Sequence, residues 1–375
     1  MTDATTSRAA HHRPPEQATD PVGAPPALRV RDLGTRFRTA SGAEVQAVRS
    51  VSFEVNHGET LVLLGESGSG KSVTARSVLR LHGPRAVVTG EVTVGGESLL
   101  TLDAAGMRRV RGSRVALVPQ DPTAALDPLR RVGRQLAEVL TLHGAVGSRR
   151  AARERAHELL GLVGIPDPAR AYRSFPHEMS GGMRQRVVIA IGISCDPSVL
   201  IADEPTTALD VTVQAQILDL FADLGRRTST ALLMVTHDVL VASDTADTVA
   251  VMYAGAIVET GPARQVLTAP RHPYTRALLG ALPTRGTPRG ALASIPGAPP
   301  VAGQHFTGCA FADRCALVTD DCRTSPPPLR EVAPRHRAAC PVLNPGPAPG
   351  PPPGASANEH TETDTKTETE TEAAI

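Results

Sequence analysis

Lysine is almost missing from these 375 residues: Lys71 and Lys366 are the only two, against 37 arginines. Other absences narrow the reading further. Acidic and basic residues nearly balance at a formal net charge of +1, which excludes a global pull toward nucleic acid or anionic membrane. Met1 to Pro26 is polar and proline-rich and lacks the apolar stretch of a secretory signal. The longest apolar runs, such as Val187 to Cys195 and Ala231 to Val235, are too short to span a bilayer. Only five cysteines occur, four of them in the last quarter, so no disulfide framework is expected. A cytosolic chain of one large or two modest domains is the expectation.

The lysine that was kept is informative. Lys71 completes Gly65-Glu66-Ser67-Gly68-Ser69-Gly70-Lys71-Ser72, which fits G-x-x-x-x-G-K-[ST]. In such a loop glycines let backbone N–H groups close around the α- and β-phosphates of a nucleotide. The lysine reaches the β- and γ-phosphates, and the final hydroxyl binds Mg²⁺. A planar guanidinium is too wide for that crowded position, so arginine is no equivalent there.

The surroundings agree. Thr60 to Leu64 reads as a buried parallel strand, and Lys71 to Leu81 has helical character, giving strand, glycine loop and helix in order. Leu28 to Leu33 and Val45 to Val55 alternate like half-buried strands. Further buried strands are expected at Arg114 to Val118, Val199 to Ala202 and Ala231 to Thr236, with a helical stretch between the first two. Thr248 to Glu259 predicts a hairpin turning near Ala254-Gly255. Residues 1–27 and 343–375 read as disordered from composition, and regular periodicity fades from about Pro283.

Val199 to Ala202 runs into Asp203-Glu204-Pro205, which places two carboxylates at a strand end, where α/β sheets put their ligand chemistry. Asp203 suits Mg²⁺ held through water, and Glu204 suits orienting and deprotonating an attacking water. Asp210 follows, and His237 ends the next strand. Ser180-Gly181-Gly182-Met183-Arg184-Gln185 opens a helix, with Ser180 as its N-cap and two glycines that allow close approach to an anion.

Over about residues 28–282 these motifs, in this order, resemble the ATPase subunit of an ATP-binding-cassette (ABC) transporter. The resemblance implies an α/β P-loop cassette: a RecA-like core, an antiparallel β subdomain, and a helical subdomain near residues 121–185. It makes Gly65 to Ser72 the Walker A loop, Gln120 the Q-loop residue beside Mg²⁺, and Ser180 to Gln185 the signature. Asp203 and Glu204 become Walker B, Asp210 the D-loop and His237 the switch histidine. Phe37 lies where the family stacks an aromatic on adenine, though it reads equally as a core residue.

Gln120-Asp121-Pro122, Leu126-Asp127-Pro128 and His272-Pro273-Tyr274-Thr275-Arg276 narrow the resemblance to the oligopeptide/dipeptide permease ATPases of the D type. That family carries a small cysteine-rich C-terminal module, expected here over residues 283–342. Cys309, Cys315, Cys322 and Cys340 would hold a [4Fe–4S] cluster, with zinc and unmetallated thiols as alternatives. The implied partners are two transmembrane permease subunits, an F-type ATPase subunit or a second copy, and an extracellular solute-binding protein. Nucleic acid is not among them. The expected function is ATP hydrolysis energising import of di- or oligopeptides, or a related solute such as nickel, from the cytoplasmic face of the membrane. Its rivals are a soluble ABC ATPase acting on nucleic acid or translation, and an iron–sulfur regulatory or assembly ATPase.

Overall fold

The computed structural model describes residues 25–282 and 294–345, apart from Ala208 and Ala302. The segments expected to be disordered, 1–27 and 343–375, lie almost wholly outside the described residues, as does the start of the expected C-terminal module.

Four strands form an antiparallel sheet in the order β2-β1-β4-β5: β1 (Leu28–Arg38), β2 (Glu44–Val55), β4 (Ala86–Val94) and β5 (Glu97–Ser98). The expected end of β1 at Leu33 falls short because its pairing shifts register between Val30 and Leu33. Asp32 there adopts a left-handed backbone, so the alternation breaks although the strand continues. The region holding β4 and the helix α2 (Ala104–Val110) carried no assigned element in the sequence.

The main sheet has eight strands in the order β11-β12-β10-β9-β3-β8-β7-β6. Its parallel part comprises β3 (Thr60–Leu64), β6 (Val115–Val118), β7 (Val199–Asp203), β8 (Ala231–Thr236) and β9 (Thr248–Tyr253). β10 (Ala256–Pro262) returns antiparallel to β9. The turn is at Ala254-Gly255, both at positive φ, as a tight hairpin requires. Successive side chains alternate between two cores. Leu61, Leu63, Val199, Ile201, Leu233 and Val235 face the antiparallel sheet. Val62, Leu64, Leu200, Ala202, Leu232 and Met234 face the helices.

Those helices are α3 (Pro122–Ala125), α4 (Val132–Leu142), α5 (Arg149–Leu162), α6 (Pro168–Arg173) and α7 (Gly181–Ile193), all between β6 and β7. Further helices are α8 (Val211–Thr228), α9 (Val239–Thr245), α10 (Ala263–Thr268) and α11 (Pro273–Gly280). The first helix, α1 (Lys71–Val78), follows the glycine loop and ends three residues before the expected Leu81. Its chain reverses at Arg80, again at positive φ.

The described part of the C-terminal segment packs against the cassette. β12 (His336–Ala338) pairs with β10, β11 (Arg330–Ala333) pairs with β12, and Phe311 is buried in the helix-side core. The fully buried Glu259 of β10 secures this join. Its carboxylate accepts from the backbone N–H of Arg271 at 2.6 Å and of His272 at 2.9 Å, and lies 2.8 Å from His336 Nε2. Among the described residues no helix is long and apolar enough to cross a membrane.

Candidate functional site

Parallel strands put their C-terminal ends on one edge of a sheet, and this edge gathers the chemistry. Leu64 is level with Thr236, Val235 with Asp203, and Ala202 with Val118. The residues just past those ends, Gly65, His237, Glu204 and Gln120, therefore line up side by side.

The loop from Gly65 to Ser72 can take its shape only with glycine at two points. A side chain on Gly65 would strike the Met252 carbonyl at 2.3 Å. Gly70 sits at φ +102° as the N-cap of α1, and a Cβ there would meet the Ala47 carbonyl at 2.7 Å. No side chain caps α1, so its first-turn N–H groups stay open to an anion. Lys71 is buried and donates to the carbonyls of Gly65 and Glu66, both at 2.8 Å. Burial lowers the pKa of this ammonium, while Glu204, Asp203 and Glu66 oppose that shift.

Asp203 is fully buried at the end of β7. Ser72 Oγ donates to its Oδ1 at 2.7 Å, and Arg76 approaches its Oδ2 at 3.5 Å. Burial raises the carboxyl pKa, and these two contacts oppose it. A hydroxyl and a carboxylate side by side form the sparse, hard oxygen set that suits Mg²⁺, which keeps waters and phosphate oxygens for its other positions.

Glu204 follows at φ +47°, a costly backbone for a residue with a Cβ. Its N–H is fixed to the Val235 carbonyl at 2.9 Å. One carboxylate oxygen accepts from Gln120 Nε2 at 3.0 Å and from Thr207 Oγ1 at 2.9 Å, and the other lies 3.3 Å from His237 Nδ1. Glu204, Gln120 and His237 line a cavity of about 790 Å³ together with Glu66, Lys71 and Ser72. Ser67 and Gly68 of the loop line it too, whereas Ser69 is buried behind Lys71. This cavity joins an anion cradle, an oxygen site for a divalent cation and a restrained carboxylate.

Five expected site residues stand apart. Ser180 caps α7 by accepting from the Met183 N–H at 3.3 Å, but neither it nor Gly181 or Gly182 lines this cavity. Asp210 is likewise outside it and caps α8, accepting from Thr212 and Val213 N–H at 3.1 and 3.0 Å. Phe37, expected against adenine, does not line the cavity either; its ring meets His82 edge-on at 5.2 Å.

The structure also brings in residues the sequence reading left out. Thr207 holds Glu204, and Arg76 pairs with Asp203. Tyr274 Oη accepts from the Glu66 N–H at 2.8 Å, and Pro299, Pro300 and Phe306 form one wall of the cavity. Tyr274 lies within His272-Pro273-Tyr274-Thr275-Arg276 and Thr207 within Thr206-Thr207-Ala208-Leu209-Asp210, so a signal existed for both; the other residues carried none.

Cys309, Cys315, Cys322 and Cys340 all line a second, smaller cavity beside His272 and Phe311. Burial pushes the Cys309, Cys315 and Cys340 thiols up, and charge on neighbouring cysteines adds to the shift. Among the described residues no three His, Cys, Asp or Glu side chains group closely enough to hold a metal ion. The expected metal centre is thus not reproduced as an assembled ligand set, although its four thiols do converge.

Two family models match parts of the chain. Residues 48–207 match the family model "ABC transporter", and residues 258–322 match "Oligopeptide/dipeptide transporter, C-terminal region". The chain is 49% identical over 316 residues to a probable peptide ABC transporter ATP-binding protein of Sinorhizobium fredii, covering 84% of this chain and 94% of that protein. It is 46% identical over 321 residues to the oligopeptide transport ATP-binding protein OppD of Bacillus subtilis, covering 85% and 89%. OppD of Mycobacterium tuberculosis is 49% identical over 316 residues, but this chain spans only 52% of that longer protein. Among solved structures, a dimeric ATP-binding cassette in a post-hydrolysis state with ADP and Pi superposes at a TM-score of 0.57. That match has 25% identity and covers 63% of this chain and 99% of the other. The chain belongs to the ATP-binding subunits of ABC transporters, in the group that carries the oligopeptide/dipeptide transporter C-terminal region.

Proposed function

We propose that this protein binds and hydrolyses ATP to energise import of di- or oligopeptides, or a related solute such as nickel, through separate membrane subunits. The observation that carries the reading is Glu204, restrained by Gln120, Thr207 and His237 beside the Ser72–Asp203 pair and the phosphate loop. Gly65 to Ser72 cradles the phosphates, with Lys71 exchanging loop carbonyls for phosphate oxygens. Ser72, Asp203 and Gln120 would hold Mg²⁺, which when bound would supply neutralisation of charge on the phosphoryl group. Glu204 takes the proton of the attacking water, and His237 steadies the carboxylate.

Ser180, Gly181, Gly182 and Asp210 serve a second subunit's nucleotide in this proposal. The support is their position outside the cavity in their own chain. The opposing chain is an F-type ATPase subunit or a second copy, and a closed pair opens once the γ-phosphate contacts are lost. The complete assembly adds two transmembrane permeases and an extracellular solute-binding protein, with this chain on the cytoplasmic face. ATP turnover per chain is therefore expected to rise with protein concentration, and further when the partner ATPase and permeases are reconstituted. Turnover per chain that stays constant on dilution and on reconstitution would refute the composite site.

The four cysteines fit an iron–sulfur cluster better than one small ion. A single zinc needs its thiolates packed tightly around one centre, whereas a cluster's ligands sit on separate irons. Bound there, a cluster would staple the segment rather than take part in ATP chemistry. Anaerobically purified protein is expected to carry about four irons per chain, and Cys309→Ser to lose them. Stoichiometric zinc without iron would overturn this assignment.

A further inference from the structure

Arg314 stands between Cys309 and Cys315, yet its side chain turns away from the thiols toward the phosphate loop. Nη1 and Nη2 donate to the two carboxylate oxygens of Glu66 at 2.7 and 3.1 Å. Nε donates to the Pro296 carbonyl at 2.8 Å, and Nη1 lies 3.4 Å from Tyr253 Oη. This is a forked charge pair with the arginine side chain only 6% exposed and the glutamate 25%.

Glu66 is the second residue of the loop and is held on three sides. Its carboxylate meets Arg314, its N–H donates to Tyr274 Oη at 2.8 Å, and its carbonyl accepts from Lys71 Nζ at 2.8 Å. Behind it the rings of Tyr253, Tyr274 and Phe311 pack with centroids 4.6 to 5.4 Å apart. Phe311 belongs to the same short segment as Arg314. One stretch of the C-terminal region thus supplies both the guanidinium and a ring of the wedge beneath the loop. The segment does not need Arg314 for its attachment, since the β12–β10 pairing and the Glu259–His336 contact supply that.

Resting on the nucleotide reading of the loop, we propose that Arg314 is a positioning residue of the ATP site: through Glu66 it sets the phosphate loop, and it makes the cysteine-bearing segment part of that site. A loop pinned in its binding shape loses less freedom when nucleotide arrives, so releasing it weakens affinity.

The test uses the full chain, with ADP as the probe so that turnover plays no part. Arg314→Gln is expected to weaken ADP binding roughly tenfold, as loss of one charge-assisted pair would. Glu66→Gln, which leaves the cysteine segment untouched, is expected to weaken it similarly. The double variant should bind no worse than either single one, because both remove the same contact. Arg314→Lys, which keeps the charge without the fork, should fall between and guards against a misfolded first variant. An arginine with only a structural role would lower the thermal midpoint and leave ADP affinity in place. ADP affinity within about twofold of wild type in Arg314→Gln and Arg314→Lys, or additive losses in the double variant, would overturn the proposal. If Lys71→Ala also bound ADP normally, the nucleotide reading itself would be what fails.

Discussion

Glu204→Gln is expected to bind ATP as wild type does and to hydrolyse it at least about a hundredfold more slowly. An amide matches the carboxylate in size, so the cost is chemical rather than steric. Its oxygen can still accept from Gln120 and Thr207, which now meet one carboxylate oxygen at 3.0 and 2.9 Å. Its NH₂ would face His237 Nδ1, 3.3 Å from the other oxygen. What is lost is the capacity to take a proton from water. The backbone at φ +47° is unchanged by the substitution, so the side chain keeps its direction into the cavity. ATP affinity measured by calorimetry, alongside phosphate release, separates the two effects. Turnover within tenfold of wild type would remove Glu204 from the proposed role.

The cassette was legible because its chemistry lies at the ends of strands whose apolar runs announce them. Thr60 to Leu64 and Ala231 to Thr236 have the same boundaries in sequence and structure. Both are buried throughout their length or nearly so, and their neighbours are turn residues. Gln120, Asp203, Glu204 and His237 then follow from parallel pairing, which brings the strand ends together. The C-terminal region was harder to read. Its two strands are three and four residues long, too short for a period to show, and they depend on a partner, β10, about eighty residues away. Arg314 was invisible for a related reason. One arginine among 37 carries no signal until the fold sets it 2.7 Å from Glu66. Phe37 shows the opposite case, a motif-like position whose ring the fold turns toward His82.

Lys71→Ala is expected to weaken ATP binding on the order of a hundredfold, where Glu204→Gln leaves it unchanged. The ammonium is held 2.8 Å from two loop carbonyls, Gly65 and Glu66, so the lysine organises the loop before any phosphate arrives. Burial disfavours its charge, but Glu204, Asp203 and Glu66 surround it with negative field and keep the charged form accessible. Triphosphate adds further negative charge to that surrounding, which favours the ammonium more. Alanine removes the donor and leaves the two carbonyls facing incoming phosphate oxygens, so attraction becomes repulsion at the same positions. Arginine is not expected to rescue the loss, because a planar guanidinium needs more width than a site bounded by Ser69 and the Gly65 carbonyl provides. Calorimetric titration of Lys71→Ala and Lys71→Arg with ATP checks both statements. Wild-type affinity in the alanine variant would show that the one lysine among the described residues does not serve phosphate.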